Sequence, residues 1–255
     1  MESFVITSIR QGVREEKSDA VTEEVPLTIE LNGTELATLL CSPSDLKNLV
    51  TGFLYTSGFI EETLSITSLT IDQDRWKAYV ECVVTFPTEM LFKRIYTSGC
   101  GKGIIFHNPL DVMQRVRLAD GFTLAGEQFF GMMKKFITSS EEFRLTGGVH
   151  SAALVGAAET IFKDDLGRHN ALDKAIGEGL HKKIDFSAQV ALTSGRVSSE
   201  IVAKVLRCQI PVLASSGAPT NQAVKIAREA NMTLLGFVRG QRMNVYSGGQ
   251  RIITP

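Results

Sequence analysis

Charge of one sign is missing from this chain: 27 Lys and Arg stand against 28 Asp and Glu in 255 residues, a formal net charge of −1. No overall field pulls such a chain toward nucleic acid or an anionic membrane. Any anion must be held by local clusters of Arg, Lys and backbone amides. Long hydrophobic runs are missing too. No segment approaches the roughly 20 apolar residues that a membrane span needs, and charged residues recur from Met1 to Asp19, where a secretory leader would need an apolar stretch. The expectation is a cytoplasmic protein with no nucleic acid and no membrane among its partners. Cysteine is scarce. The four present (Cys41, Cys82, Cys100, Cys208) show neither a paired framework nor close metal-type spacing, which fits a reducing compartment. Sequence repeats and low-complexity linkers are also lacking. What remains is ordinary globular composition, 44% hydrophobic and 22% charged, in a chain long enough for one large or two small domains.

The elements follow from periodicity. Residues 1–24 are polar and weakly patterned, which suggests a strand fragment and a loose segment. Leu27, Ile29 and Leu31 alternate up to Asn32-Gly33, followed by Leu36 and Leu39, a hairpin pattern because both turn positions favour positive φ. Ser42 to Asp45 offers a helix start, with Leu46, Leu49, Val50, Phe53 and Leu54 at helical spacing and Gly58 near the stop. Strands are expected at 66–71 and 77–86. Phe129, Met132, Met133, Phe136 and Ile137 mark an amphipathic helix whose methionines fill core space. Farther on, strands at 152–157, 189–193, 210–215 and 233–238 interleave with helices near 170–180, 198–207 and 220–230. This rhythm implies an α/β fold with a mixed, mainly parallel sheet covered by helices, after a smaller α+β part. The division is placed at 1–96 and 97–255, within a window of 90–125.

In open α/β sheets, ligands gather at the C-terminal ends of strands, beside helix N-termini. Three such ends carry suitable residues: Thr193 to Ser198 with Ser194, Ser215 to Thr220, and Phe237-Val238-Arg239-Gly240-Gln241-Arg242. Small residues let backbone approach an anion, hydroxyls donate, and guanidinium forks suit phosphate. Each loop also reads as an ordinary turn or helix cap; three on one edge favour a phosphate-bearing ligand. Lys163 to Lys174 packs two acids, Arg168, His169 and Asn170 ahead of a helix. Asn170 is suited to cap it, and the acids to pair with Arg168 or Lys174. His150 follows a glycine turn; it and His169 are candidate general acids or satisfied structural donors. Cys100 differs from the other cysteines. It lies between glycines in Thr97-Ser98-Gly99-Cys100-Gly101-Lys102-Gly103, with Arg94 and Lys102 near in sequence to favour thiolate. An exposed, mobile thiolate suits a carrier, and an unused loop cysteine has the same pattern.

Over essentially its full length the chain resembles the FdhD family, the formate dehydrogenase accessory sulfur carriers. The resemblance rests on Gly52-Phe53-Leu54, Thr97 to Gly101, Thr146-Gly147-Gly148-Val149-His150, Asp164 to Lys174, Ser194-Gly195-Arg196, Ala218-Pro219-Thr220 and Arg239 to Tyr246. It implies a cytidine-deaminase-like layered fold and a homodimer. It also implies a persulfide on Cys100, taken from a cysteine desulfurase. The sulfur then passes to the bis-guanine-dinucleotide molybdenum cofactor of formate dehydrogenase. The family's cofactor stretch maps to Phe237 through Arg242, for which GDP is the expected mimic. Many members carry a second cysteine in a Cys-x-x-Cys loop; here that position is Gly103, so Cys100 acts alone.

A deaminase-like fold raises zinc deamination as a rival, but no His or Cys is followed two residues later by Glu, and Cys-x-x-Cys is absent. No zinc or other metal is expected. A Cys-His hydrolase pairing Cys100 with His150 or His169 lacks a third partner. The remaining alternative is a cofactor-binding chaperone that does not transfer sulfur.

Overall fold

The protein's structure, a computed structural model, describes residues 1–84 and 116–254 and two short strands between them at 95–96 and 104–105. The chain opens on a hairpin, β1 (Glu2–Arg10) and β2 (Val13–Val21), in place of the expected loose segment. Its turn is Gln11-Gly12, both at positive φ, so the glycine supplies the turn although no Asn-Gly or Asp-Gly signal marks it.

The second hairpin forms as expected. Asn32 and Gly33, at φ 48° and 77°, join β3 (Val25–Leu31) to β4 (Thr34–Cys41). Helix α1 (Leu46–Thr56) follows, then β5 (Ile66–Asp72) and β6 (Lys77–Cys82), completing a sheet of order β4-β3-β6-β5. Leu49, Val50, Phe53 and Leu54 bury one face of α1 in the core of this sheet. Strands β7 (Ile95–Tyr96) and β8 (Ile104–Ile105) pair antiparallel. The division after residue 96, and the loop holding Cys100 and Lys102, lie outside the described residues.

Strand β9 (Leu124–Ala125), helix α2 (Gly126–Ser139) and short helix α3 (Glu141–Thr146) lead into the main sheet. Its elements are β10 (His150–Val155), β11 (Thr160–Asp165), α4 (Arg168–Lys182), β12 (Val190–Thr193), α5 (Ser199–Arg207), β13 (Val212–Ser215), α6 (Asn221–Glu229), β14 (Thr233–Arg239) and β15 (Arg242–Ser247). Finally β16 (Ile252–Ile253) pairs with β9. Phe129, Met133 and Phe136 of α2 pack under one face of the main sheet, while Ile137 is exposed. The other face is covered by Leu172 and Ile176 of α4, Ile201 and Val205 of α5, and Ile226 of α6. With both faces buried, β12 and β13 read as continuous apolar runs, Val190 to Leu192 and Val212 to Ala214.

The expectation of a mainly parallel sheet is corrected. The strand order is β11-β10-β12-β13-β14-β15, and only β12–β13 and β13–β14 pair parallel. Strands β11 and β15 add antiparallel edges, and β10 runs antiparallel to β12. Neither edge strand is among the strands expected from the sequence: β11 ends in Lys163, Asp164 and Asp165, three polar residues in a row, and β15 follows directly on the Gly240-Gln241 turn.

The two parts lock where α1 crosses α4. A methyl added at Gly52 would collide with the Asp173 carbonyl, and one at Gly177 with the Asn48 carbonyl. Only glycine allows backbones so close. Beside this crossing, Thr56 Oγ1 donates to Asp173 (2.8 Å), and the Arg207 guanidinium donates to the Ile60 carbonyl (3.1 Å).

Candidate functional site

The parallel strands β12, β13 and β14 end on one edge of the sheet, and the loops leaving them interlock. Ser215 Oγ donates to the Gly195 carbonyl (2.6 Å) and accepts from Gly217 N (2.9 Å); Ser216 Oγ donates to the Ser194 carbonyl (3.1 Å). Val197 bridges Pro219, and Phe237 N donates to the Gly217 carbonyl (3.0 Å). The three loops named from the sequence therefore form one surface. The hydroxyls of Ser194, Ser215, Ser216 and Thr220 serve nearby backbone. Ser194 Oγ accepts from Ser151 N (2.9 Å), buried Ser215 is doubly engaged, and Thr220 Oγ accepts from Ala223 N (3.2 Å) to cap α6.

Phe237 to Arg242 is placed differently from the strand-to-helix end expected of it. Phe237, Val238 and Arg239 lie within β14, and Gly240 (φ 59°) and Gln241 turn directly into β15. Among the described residues no helix N-terminus follows this end, since β14 turns directly into β15. Phe237 has φ 52°, uncommon for an aromatic residue and a form of strain that clusters at functional sites. Its side chain is partly exposed while Val238 is buried. Arg239 and Arg242 face each other directly across the hairpin and both are exposed. Like charges in that register destabilise a strand pair, and a polyanion placed between them reverses the sign.

The side chains of segment Asp164 to Lys174 fall into two sets. Asp165 is fully buried and saturated. It accepts from Ser42 N (3.1 Å), Gly167 N (3.0 Å) and Asn170 Nδ2 (2.9 Å), and it pairs with Lys174 Nζ at 2.6 Å. Asn170 does not cap α4, whose N-cap is Gly167; it donates instead to the Leu40 carbonyl (2.8 Å), tying β4 to the helix. Asp164 accepts from Ser140 Oγ (2.7 Å). These groups are structural.

Arg168 and His169 face elsewhere. The Arg168 side chain lies against Gly195, where an added methyl would meet its Cδ. His169 Nε2 stands 3.6 Å from Glu200 in the first turn of α5, and neither ring nitrogen has a hydrogen-bond partner among the described residues. Burial, with the positive charges of Lys204, Arg168 and His150, lowers its pKa to about 3, so the ring is neutral. His150 lies 3.4 Å from Ser194 Oγ, and burial, then Arg168, lowers its pKa as well. Burial raises the Glu200 carboxyl. Lys204 pairs with buried Asp173 at 2.7 Å. Sequence reasoning found both histidines but not the Glu200 contact or the Lys204–Asp173 pair. The available signal was the four-residue spacing of His169 with Asp173 and of Glu200 with Lys204, which aligns each pair on one helix face.

Cys41, Cys82 and Cys208 are buried. Burial, then Asp165, pushes the Cys41 thiol up to about 12. Burial likewise raises Cys82 and Cys208. None is a ready nucleophile, since the thiolate is the reactive form. Among the described residues no group of His, Cys, Asp and Glu is arranged to hold a metal ion, and no helix is long and apolar enough to cross a membrane.

Comparisons with known proteins agree with this fold. A sulfur carrier protein FdhD from Bacillus pumilus is 39% identical over 97% of this chain and 96% of its own. One from Geobacillus kaustophilus is 39% identical over 97% and 95%. A crystal structure described as a formate dehydrogenase accessory protein, from Desulfotalea psychrophila, superposes with a TM-score of 0.79 at 24% identity, covering 99% of both chains, and so shares the fold. The model of the FdhD/NarQ family matches residues 22–253, and the chain belongs to that family.

Proposed function

We propose that this protein carries sulfur as a persulfide on Cys100 and delivers it to the molybdenum cofactor destined for formate dehydrogenase. The observation that carries the reading is the contrast among cysteines. Three are sealed in the core with raised pKa values, leaving Cys100, in its glycine-flanked sequence, as the thiol for exchange. The curated relatives are named sulfur carriers over nearly the whole chain, which supports the same role. A cysteine desulfurase supplies the sulfur, in the cytoplasm, and the protein works as a homodimer with a cytidine-deaminase-like main domain. Phe237 to Arg242 holds a guanine-nucleotide end of the cofactor. Support comes from the facing Arg239 and Arg242 guanidiniums beside a partly exposed aromatic ring.

The chain's own residues divide the work. Cys100 attacks the sulfane sulfur of the desulfurase persulfide and takes it, and the desulfurase cysteine leaves as thiolate. Arg239 and Arg242 orient the anionic acceptor.

The test is intact mass after incubation with a cysteine desulfurase and cysteine. Wild type, Cys41→Ser, Cys82→Ser and Cys208→Ser should each gain the mass of one sulfur atom, and Cys100→Ser should gain none. Labelling that survives in Cys100→Ser sinks the assignment.

A further inference from the structure

We propose that Arg168, His169 and Ser198 hold a phosphate-sized oxyanion between the N-termini of α4 and α5, at a second site distinct from the Arg239–Arg242 hairpin. This goes beyond the sulfur-carrier reading and does not depend on it.

Neither helix is capped by a side chain: Gly167 stands at the N-cap of α4, and Ser198, at the N-cap of α5, makes no capping hydrogen bond. The first amides of both helices therefore lack their usual side-chain acceptor, and each helix end carries the positive pole of its dipole. Two such ends close together form an anion site. Their proximity is on record in the contact of His169 with Glu200, one residue inside each helix.

Two side chains point independently to a ligand. Ser198 is 8% exposed, and its hydroxyl is shielded from solvent with no partner among the described residues. An N-cap serine ordinarily spends that oxygen on its own helix, so leaving it idle costs stability unless something else binds there. His169 repeats the pattern with both ring nitrogens. Held neutral, it presents one N–H donor and one acceptor, which suits an oxyanion carrying a proton. Arg168, at the first position of α4 and packed on Gly195, brings a guanidinium to the same end. Of the acids beside the site, Asp173 is neutralised by Lys204, and burial turns Glu200 toward its protonated form. The loop with Gly195 connects this site to the Gly217 and Phe237 loops, so both proposed anion sites lie along one sheet edge. The oxyanion is either free or borne by a nucleotide.

The probe is inorganic phosphate, titrated by calorimetry at constant ionic strength with chloride as the control anion. Saturable binding by wild type is expected. Ser198→Ala and His169→Gln should each weaken it roughly five- to tenfold, the loss of one hydrogen bond, and Ser198→Thr should restore it by keeping the hydroxyl. If a variant fails to fold, the wild-type protein answers alone: phosphate must shift the ring nitrogen resonances of His169. The Arg239→Ala, Arg242→Ala double variant should keep its phosphate affinity while losing roughly one to two decades in GDP affinity. Unchanged GDP affinity there would undo the hairpin assignment and leave this site standing. Absence of saturable phosphate binding, equal affinity in wild type and both variants, or a silent His169 would overturn the proposal. Displacement of phosphate by GDP assigns the oxyanion to a nucleotide and persistence assigns it to a free ion; each supports the site.

Discussion

The two halves of Asp164–Lys174 carry the same kinds of polar residue and meet opposite fates. Asp165, Asn170 and Lys174 turn toward β4 and α1, where each finds partners at 2.6–3.1 Å, and Asp165 and Lys174 are fully buried. Arg168 and His169 turn toward the strand ends, where the histidine's nitrogens are buried without partners. The difference lies in helical phase: residues 170 and 174 share one face of α4, and 169 and 173 another. A saturated buried network fixes one arrangement of two parts of a molecule. An unsaturated one carries a cost that a bound partner offsets.

The largest break in that comparison is Lys174→Met. It leaves the Asp165 carboxylate buried without its cation, which costs about 3–5 kcal/mol, or a fall of roughly 6–20 °C in Tm for a chain of this size. Thermal unfolding measures it. A fall of less than a few degrees would mean that the carboxylate finds another partner, and the network would not be structural. Asn170→Ala should cost less, about 0.5–1.5 kcal/mol, through its lost hydrogen bonds to the Leu40 carbonyl and Asp165. Helix content by circular dichroism should hold, because Gly167, not Asn170, occupies the N-cap. Fraying of α4 would return the capping role to Asn170.

A pH dependence sharpens the other half. His169 has a pKa near 3 when folded, against about 6.5 for an unperturbed imidazole. Between these values the unfolded chain binds more protons. Its contribution to stability is therefore complete above about 6.5 and is lost as pH falls toward 3. One group gives a slope of at most about 1.4 kcal/mol per pH unit. Urea unfolding across that window should be less pH-dependent in His169→Gln than in wild type. Parallel curves would show that His169 titrates normally and is not buried as described.

Much of this was legible in the sequence, for local reasons. Asn32-Gly33 announced its turn because both residues tolerate positive φ, and the buried helix faces announced themselves through periodicity. The strand ends were legible because small and hydroxyl residues must follow β12 and β13. The edge strands β11 and β15 were not, since an edge half open to solvent keeps polar residues that mimic a loop. Asp165 and His169 could not be sorted either, because both sit in one polar run and their partners, Ser42 and Glu200, lie far away in the chain.

By itself, then, the sequence determined the family motifs, the single glycine-flanked cysteine, the core helices and the neutral overall charge, all set by residue type and short-range spacing. Tertiary structure alone decided that Gly52 and Gly177 are a backbone crossing, that three cysteines are sealed with raised pKa values, and that Ser198 Oγ and the His169 ring nitrogens are buried without partners among the described residues. Each of those depends on what the fold brings alongside from distant segments, and burial, unlike periodicity, is a property of the whole packed chain.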